Sequence, residues 1–179
     1  MNRMALFSKS AGIKLLIILL FSTMLSLPSC ASKGSNIQTD QDLLNYLRDA
    51  YGKTELNIRD TAVKGKYKLA AFDGAEGEIG YVFLEEIQEG NYTVVSSKME
   101  TEGTHLVFQY KTEDQEQLIC VVNESSSANR VVLHVDDKEE KSFVLDKTSL
   151  GAYLFVIDTA DIEEIQYEFL DASGRNIER

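Results

Sequence analysis

The residues that could act as nucleophile and base in this chain are few and widely separated. The sequence holds two histidines, His105 and His134, and Cys120 is the one cysteine after residue 30. Nucleophilic catalysis needs a base within hydrogen-bond reach of a serine or cysteine, and a third group that orients the base. The sequence contains no Gly-x-Ser-x-Gly turn, Gly-rich phosphate loop or His-Glu-x-x-His pair. We therefore predict that the chain is not an enzyme and that both histidines lie at the surface or at strand ends.

Carboxylates are the other groups that could do chemistry, and the chain has 29 of them. Two carboxylates held about 5–9 Å apart can hydrolyse a glycosidic bond, so a carboxylate-based hydrolase stays open as a less favoured alternative. The densest acidic cluster is residues 134–140, and Asp136-Asp137-Lys138 within it is predicted to be a solvated turn, because a hard cation needs about six to eight converging oxygens. Asp171-x-Ser173-Gly174 begins like a calcium loop, but the chain ends before a twelfth-position glutamate. We predict no metal site.

A different chemistry is indicated at Cys30, which follows an apolar run. Three cations precede residues 15–27, which are apolar apart from two serines and one threonine. A cationic start, an apolar middle and a cut site of small residues are the parts of a secretory signal. A helix that crosses the hydrocarbon core needs roughly 20 residues, so this run is too short to span the membrane comfortably. Residues 1–29 are therefore predicted to be an export signal.

The end of this segment resembles the lipobox of bacterial lipoproteins. Leu27, Pro28, Ser29 and Cys30 occupy the four motif positions, although Pro28 departs from the usual alanine, serine, threonine or valine. The resemblance implies that a diacylglyceryl thioether forms on Cys30, that the signal is cut before it, and that the new amino terminus is often acylated, with palmitate as a typical chain. Two or three such chains hold a protein to a bilayer, whereas one alone is marginal. We expect a lipid-anchored protein on the extracytoplasmic face of the cell membrane.

A second resemblance is confined to one short stretch. The pattern Ile79-Gly80-Tyr81-Val82-Phe83 followed by Gly90-Asn91-Tyr92 is similar to hairpins of uncharacterised small lipoproteins of Gram-positive bacteria. This resemblance implies no activity and adds only mild support for a Gram-positive source.

Net charge limits the partners of the mature chain. Removal of the signal takes three of the 18 basic residues and none of the 29 acids, so the formal net charge falls from −11 to −14. A field of that sign repels nucleic acid and anionic lipid headgroups. We therefore predict no DNA or RNA partner, and we expect the lipid anchor to make the membrane contact.

Lipidation of Cys30 also decides the environment predicted for Cys120. Two cysteines in an exported protein ordinarily suggest a disulfide, but the thioether uses the sulfur of Cys30. Cys120 lies in the apolar run of residues 118–122, where an unpaired cysteine behaves as a small apolar residue. We predict a buried core thiol.

The folded part is predicted to be mainly β (α+β), with one helix. Residues 30–39 are mostly small and polar and are predicted to form a flexible tether. A capping residue, acids in the first turn, apolar residues at helical spacing and Gly52 predict an amphipathic helix over residues 40–51. Alternation with period two then predicts a three-stranded antiparallel meander over residues 66–97, with turns at Asp73-Gly74 and Glu89-Gly90-Asn91.

Short strands continue to the C terminus. Strands are predicted at residues 106–110, 118–122, 131–135, 143–145, 152–157 and 165–170, with a connection at 98–103, a helical turn at 158–164 and a turn at 171–174. Strands and turns at this spacing suggest a sandwich or a barrel, and the predicted arrangement is a sandwich-like unit. The predicted division is therefore a lipoprotein signal peptide (1–29), a tether (30–39), a helix-plus-meander unit (40–103) and a β-sandwich-like unit (104–179).

Without a catalytic motif, the favoured function is a non-enzymatic binding or interaction module of the cell envelope. Its partner would be an envelope protein, a peptide or a polymer, and no cofactor is predicted beyond the covalent lipid on Cys30. The alternative is a small-molecule carrier or sensor with an apolar pocket between the helix and the meander. A pocket of about 300 Å³ or more with convergent polar groups would favour the carrier, and a flat surface would favour the interaction module.

Overall fold

The computed structural model describes residues 36–101, 103–124, 128–136, 139–157 and 164–177. These residues form one α-helix and ten β-strands, which pair antiparallel in three sheets. The prediction of a mainly β chain with one helix is confirmed. The elements are α1 (Asp40–Tyr51), β1 (Leu56–Lys64), β2 (Tyr67–Gly74), β3 (Ile79–Gln88), β4 (Asn91–Glu100), β5 (His105–Lys111), β6 (Gln117–Asn123), β7 (Arg130–Val135), β8 (Glu139–Val144), β9 (Gly151–Ile157) and β10 (Ile165–Leu170).

Helix α1 begins and ends at the predicted residues, and local chemistry explains both ends. The Asp42 backbone N–H donates to the Thr39 hydroxyl oxygen at 3.1 Å, and the Thr39 N–H donates to the Asp42 carboxylate at 2.9 Å. This reciprocal capping box satisfies N–H groups that have no partner within the helix. Gly52 ends the helix with φ +64°, a left-handed conformation that glycine adopts without a steric penalty.

Sheet 1 is the four-stranded meander β1-β2-β3-β4, and its strand β3 is buried on both faces. Tyr81 and Phe83 belong to an apolar cluster shared with β5, β6 and β9, whereas Val82 and Leu84 belong to a cluster shared with the buried leucines of α1. A strand covered on both faces reads as a continuous apolar run rather than an alternating one. This is why β3 has six consecutive buried residues at its start.

Sheet 2 packs on the face of sheet 1 that is turned away from the helix, and sheet 3 packs on the opposite face of sheet 2. Sheet 2 has the order β5-β6-β9 and sheet 3 the order β10-β7-β8. On β6, Leu118 and Cys120 belong to the cluster shared with sheet 1, and Ile119 and Val121 belong to the cluster shared with sheet 3. Sheet 2 is therefore the central layer. The cluster between sheets 1 and 2 joins residues from both sides of the predicted boundary at 103/104.

Strand β1 is absent from the prediction, which places no strand between Gly52 and residue 66. It pairs with β2 from one end to the other, with a bulge between Ile58 and Asp60. The bulge inserts one residue, so it shifts the inward and outward alternation along the strand. Two charged residues, Arg59 and Asp60, also lie in the middle of the strand. The shifted alternation and these charges together remove the period-two signal. The meander therefore has four strands rather than three.

Two predicted boundaries inside sheet 1 are also wrong. Strand β2 continues through Asp73 and Gly74, so the reversal lies at residues 75–78, where Gly77 has φ +80°. Strand β4 extends to Glu100, so residues 98–100 are strand rather than connection. In both places pairing with a neighbouring strand outweighs the local preference of polar residues and glycine for a turn. The turn predicted around Gly90 is confirmed, with φ +71°.

The strands of the second half lie close to their predicted positions. Strand β10 has the predicted bounds, and β5, β6, β7 and β9 extend the predictions by one residue at one or both ends. Strand β8 begins at Glu139, four residues before the predicted start. The turn at 171–174 is confirmed, with Gly174 at φ +79°. Of the helical turn predicted over 158–164, only the last residue is among those described.

Candidate functional site

A cleft of about 320 Å³ lies at one end of sheets 1 and 2. It forms where strand β1 and the β2–β3 turn meet the segments that follow β6 and precede β9. Charged side chains, a hydroxyl, two glycines and two aliphatic side chains converge on it, so polar groups and apolar surface lie side by side there. The described residues that line the cleft are Arg59, Asp73, Gly74, Gly77, Glu78, Ile79, Glu124, Ser149 and Leu150.

The bulge in β1 explains why Arg59 lines the cleft while its neighbour does not. The register passes from Ile58 directly to Asp60, so Arg59 has no partner residue on β2. A bulge re-aims the side chains on either side of it. Asp60 is directed to strand β9, where it accepts a hydrogen bond from the Ala152 N–H at 2.8 Å and forms an ion pair with Lys147. Arg59 is thereby placed at the mouth of the cleft.

Asp73 on the adjacent strand orients the Arg59 guanidinium. The Arg59 Nε group donates to Asp73 Oδ2 at 2.5 Å, and Asn57 Nδ2 lies 3.4 Å from Asp73 Oδ1. The Arg59 side chain is 49% exposed and that of Asp73 is 26% exposed. The arginine is therefore held in one orientation while half of its surface stays accessible to solvent.

Glu78 is the buried acid of the cleft, with 1% of its side chain exposed. Lys53 Nζ lies 2.6 Å from Glu78 Oε1, and the Glu76 backbone N–H donates to Glu78 Oε2 at 2.8 Å. The hydrogen bond from the Lys53 ammonium, helped by that backbone N–H, holds the pKa of Glu78 below its usual range. A Cβ atom on Gly74 would lie 2.5 Å from Glu78 Oε2, so a larger residue at position 74 would force the carboxylate to shift.

Replacing Glu78 with glutamine is expected to remove a pH-dependent part of the stability. A carboxyl whose pKa is lower in the folded chain stabilises the fold above its ordinary value of 4.5, and this stabilisation is lost as the pH falls through the lower folded value. The free energy of unfolding of the natural chain should therefore exceed that of Glu78→Gln at about pH 7, and the difference should shrink below pH 4.5. Urea unfolding on both sides of that pH measures it.

Glu76→Gln is the matched control for this experiment. Glu76 also pairs with Lys53, at 2.9 Å, but its side chain is 75% exposed. Exposed ion pairs contribute about 0–1 kcal/mol, so this substitution should change stability little at any pH. Equal effects of the two substitutions, or an effect of Glu78→Gln that is the same at all pH values, would contradict the role given to Lys53.

The charges around Glu78 do not favour this carboxyl as a general acid. A carboxyl that acts as a general acid near neutral pH needs a raised pKa, whereas Lys53 lowers that of Glu78. Within the described ranges, no three or more His, Cys, Asp and Glu side chains form a group that could hold a metal ion. The cleft instead offers fixed charges of both signs, one of them half exposed.

The residues that the sequence singled out for chemistry do not meet in the cleft. The His105 ring stacks on Phe169 with ring centroids 3.9 Å apart. On sheet 3, His134 Nε2 lies 3.8 Å from Glu168 Oε1. Cys120 is a free cysteine with 2% exposure, and burial raises the pKa of its thiol. The prediction of a buried core thiol at Cys120 agrees with this position.

The predicted lipid attachment residue Cys30 and the lipobox residues Leu27, Pro28 and Ser29 lie outside the described residues. The same holds for Asp137 and Lys138 of the predicted acidic turn. Anchoring through Cys30 therefore stays a prediction. In the part of the chain that the structure describes, no helix combines the length and apolar character needed to cross a membrane.

Sequence reasoning did not find the cleft, because its walls come from four separate stretches of the chain. Two local signals nevertheless mark it. The first is the charged pair Arg59-Asp60, which interrupts an otherwise alternating segment. The second is the spacing of Gly74, Gly77 and Gly80 around Glu78, since glycines recur where a backbone must turn or approach another group closely.

Comparisons with known proteins give no relative from which a function could be transferred. A scan against protein-family models, a search of curated proteins and a search of solved structures found no match to this chain. Its function is therefore inferred from the geometry and charge of the cleft.

Proposed function

We propose that this chain is a lipid-anchored binding protein on the extracytoplasmic face of the membrane and that the cleft holds a small polar molecule. The observation that carries the proposal is the cleft of about 320 Å³, at the lower end of the roughly 300–1,000 Å³ range of small-molecule sites. Arg59, Glu78 and Ser149 converge on it. Cys30 carries the lipid. The lowered pKa of Glu78 disfavours a role for this carboxyl as the general acid of a carboxylate-based hydrolase.

The position of the cleft relative to the tether supports this proposal. Ile37, where the predicted tether joins the fold, forms a bridge with Tyr92 at the start of β4. Ile79 lines the cleft at the opposite end of β3. Tyr92 pairs with Glu86, and the seven residue steps from Ile79 to Glu86 span about 23 Å at roughly 3.3 Å each. The cleft therefore lies at the far end of sheet 1 from the tether, where solutes can reach it.

We also propose that the chain is divided into a helix-plus-meander unit (40–103) and a sandwich-like unit (104–179). Residues of both units line the cleft: Arg59 and Glu78 come from the first, and Glu124 and Ser149 from the second. The carrier hypothesis placed the pocket between the helix and the meander. Leu43 and Leu47 of α1 are 1% and 0% exposed in that interface, and the cleft lies elsewhere.

A cleft-filling substitution tests the proposed function. We expect Ser149→Trp to fill the cleft from an exposed rim position, and Ser142→Trp, exposed on β8 outside the cleft, is its control. Amino acids, sugars, nucleosides and organic acids are screened for an increase in Tm. A ligand present at about 100 times its Kd stabilises a protein by about 2.7 kcal/mol.

At least one compound should raise the Tm of the natural chain and of Ser142→Trp but not that of Ser149→Trp. The proposal fails if no compound stabilises the natural chain. It fails equally if every stabilising compound also stabilises Ser149→Trp.

A second candidate function is the interaction module, which strand β8 favours. In the described residues β8 is the last strand of sheet 3, and its Val144 is 61% exposed. An edge strand presents unpaired backbone N–H and C=O groups that can pair with a strand of another protein. An envelope protein or extended peptide is the partner that this edge would accept.

A further inference from the structure

The acids of the cleft already have partners within the chain. Asp73 pairs with Arg59, and Glu78 pairs with Lys53 at 2.6 Å while only 1% of its side chain is exposed. Glu124 has an interaction partner as well. Among the described lining residues, a ligand's ammonium group therefore finds no free carboxylate, and a cation that loses its water without gaining a partner is costly to bind.

The charges of the cleft also disfavour an anion. Arg59 is the single base among the described residues that line the cleft, against the three acids Asp73, Glu78 and Glu124. Even with Lys53 counted beside Glu78, two bases and three acids leave a formal charge of −1. The whole chain, at −11, has the same sign and repels a negative group. The cleft therefore favours an uncharged ligand.

The Arg59 guanidinium nevertheless keeps hydrogen-bond donors for such a ligand. A guanidinium has five N–H donors in a planar fork, and the ion pair with Asp73 is made through Nε. Among the described residues, neither terminal Nη group donates a hydrogen bond to the protein. The side chain is 49% exposed, so these N–H groups can reach acceptor oxygens of a ligand. Asp73 fixes their orientation in advance, which lowers the entropy cost of binding.

The segment that precedes β9 adds a hydroxyl and apolar surface beside Arg59. Asp60 accepts a hydrogen bond from a backbone N–H of β9 at 2.8 Å, so the bulge in β1 lies against the start of that strand. Ser149 and Leu150 come just before it and line the cleft together with Ile79. A serine hydroxyl can donate and accept hydrogen bonds, and the two aliphatic side chains can contact C–H groups.

A sugar ring has the properties that these groups require. It is uncharged, its hydroxyl oxygens accept hydrogen bonds, its hydroxyl hydrogens donate them, and its C–H groups contact aliphatic side chains. A volume of about 320 Å³, at the lower end of small-molecule sites, suits a monosaccharide better than a larger ligand.

We propose that the cleft binds an uncharged monosaccharide whose hydroxyl oxygens accept hydrogen bonds from the Nη groups of Arg59. This inference rests on the proposed function, since it names the ligand class of the same cleft. Binding is non-covalent and leaves the sugar unchanged.

Calorimetric titration of the full chain tests the ligand class. The probes are D-glucose, D-galactose and D-mannose, each compared with its uronic acid, which carries a carboxylate, and its 2-amino-2-deoxy derivative, which carries an ammonium. We expect at least one of the three hexoses to bind. Its two charged derivatives should bind at least about 10-fold more weakly, because each brings a charge for which the cleft has no free partner.

Two variants of the Arg59–Asp73 pair test the position of the sugar and the compensation of charge. Arg59→Gln removes the Nη donors and should lower the affinity for the hexose about 10-fold or more. Asp73→Asn leaves the arginine charge uncompensated, so the affinity for the uronic acid relative to the hexose should rise about 10-fold. Asp40→Asn is the control, because Asp40 pairs with Lys68 at 3.4 Å and lies outside the cleft. It should leave both affinities unchanged.

The results separate this inference from the proposed function. The sugar assignment is overturned if none of the three hexoses binds, if a charged derivative binds as tightly as its hexose, or if Arg59→Gln binds the hexose normally. An unchanged preference in Asp73→Asn overturns it as well. The proposed function survives each of these results whenever another compound stabilises the natural chain but not Ser149→Trp.

Discussion

Replacing Phe83 with alanine is expected to lower the free energy of unfolding by about 3–5 kcal/mol, the range for removal of a fully buried aromatic side chain. Phe83 is 0% exposed in the cluster between sheets 1 and 2. Its ring centroid lies 5.6 Å from that of Tyr67, 5.5 Å from Phe108 and 5.1 Å from Tyr110. Alanine would leave a cavity that three large rings from two sheets cannot fill without moving both sheets.

Urea unfolding followed by far-UV circular dichroism measures this loss, and tyrosine fluorescence gives a second signal because the chain has no tryptophan. Tyr167→Ala on β10 is the control, since this aromatic side chain is 38% exposed, and it should cost about 1 kcal/mol or less. Stabilities of domains are about 5–15 kcal/mol, so Phe83→Leu is measured as well in case the alanine variant does not fold. A loss below about 1 kcal/mol for Phe83→Ala would contradict the stacking of sheets 1 and 2.

Replacing Cys30 with alanine is expected to abolish lipid attachment and to release the chain from the membrane fraction. The proposed anchor depends on the sulfur of Cys30, and each buried CH₂ of a lipid chain contributes about 0.8 kcal/mol to membrane binding. The charge of the mature chain opposes a second contact with anionic headgroups. The apolar run 15–27 is shorter than the roughly 20 residues that cross the hydrocarbon core, so we expect that it does not replace the thioether.

Metabolic labelling with a palmitate analogue, combined with fractionation and gel mobility, measures this effect. The natural chain should carry the label and stay with the membranes. The control is Cys120→Ala, which removes the buried cysteine of sheet 2 and should keep both the label and the membrane association. If Cys30→Ala is labelled as strongly as the natural chain, or stays in the membranes with unchanged mobility, the lipid anchor is wrong.

The elements that the sequence predicts correctly are those whose causes are local. Helix α1 follows from the Thr39 cap, the spacing of its leucines and Gly52, all within fourteen residues. Strand β10 follows from alternation between two turns. Strand β1 could not be predicted in the same way, because its bulge breaks the alternation and its place in sheet 1 depends on pairing with β2.

The cleft depends on causes that no local pattern contains. Arg59 and Ser149 are 90 positions apart in the numbering, and they line one space only because β1 lies beside β9, where Asp60 pairs with Lys147 and Ala152. The register of several strands decides which side chains meet there. The histidines and Cys120 are more conspicuous in the sequence, but they lie on other sheets or faces and do not line the cleft.

Chemical-shift mapping by NMR tests the central claim, that the cleft is the binding site, most directly. The full chain is titrated with a compound that stabilises the natural chain but not Ser149→Trp, and its glycine amides report on both ends of sheet 1. We predict that Gly74 and Gly77, which line the cleft, shift progressively together with Leu150, while Gly65 and Gly90, in the turns at the opposite end, do not move. Shifts concentrated at Gly65 and Gly90 or along helix α1, or no shifts at saturating concentrations of that compound, would contradict the account.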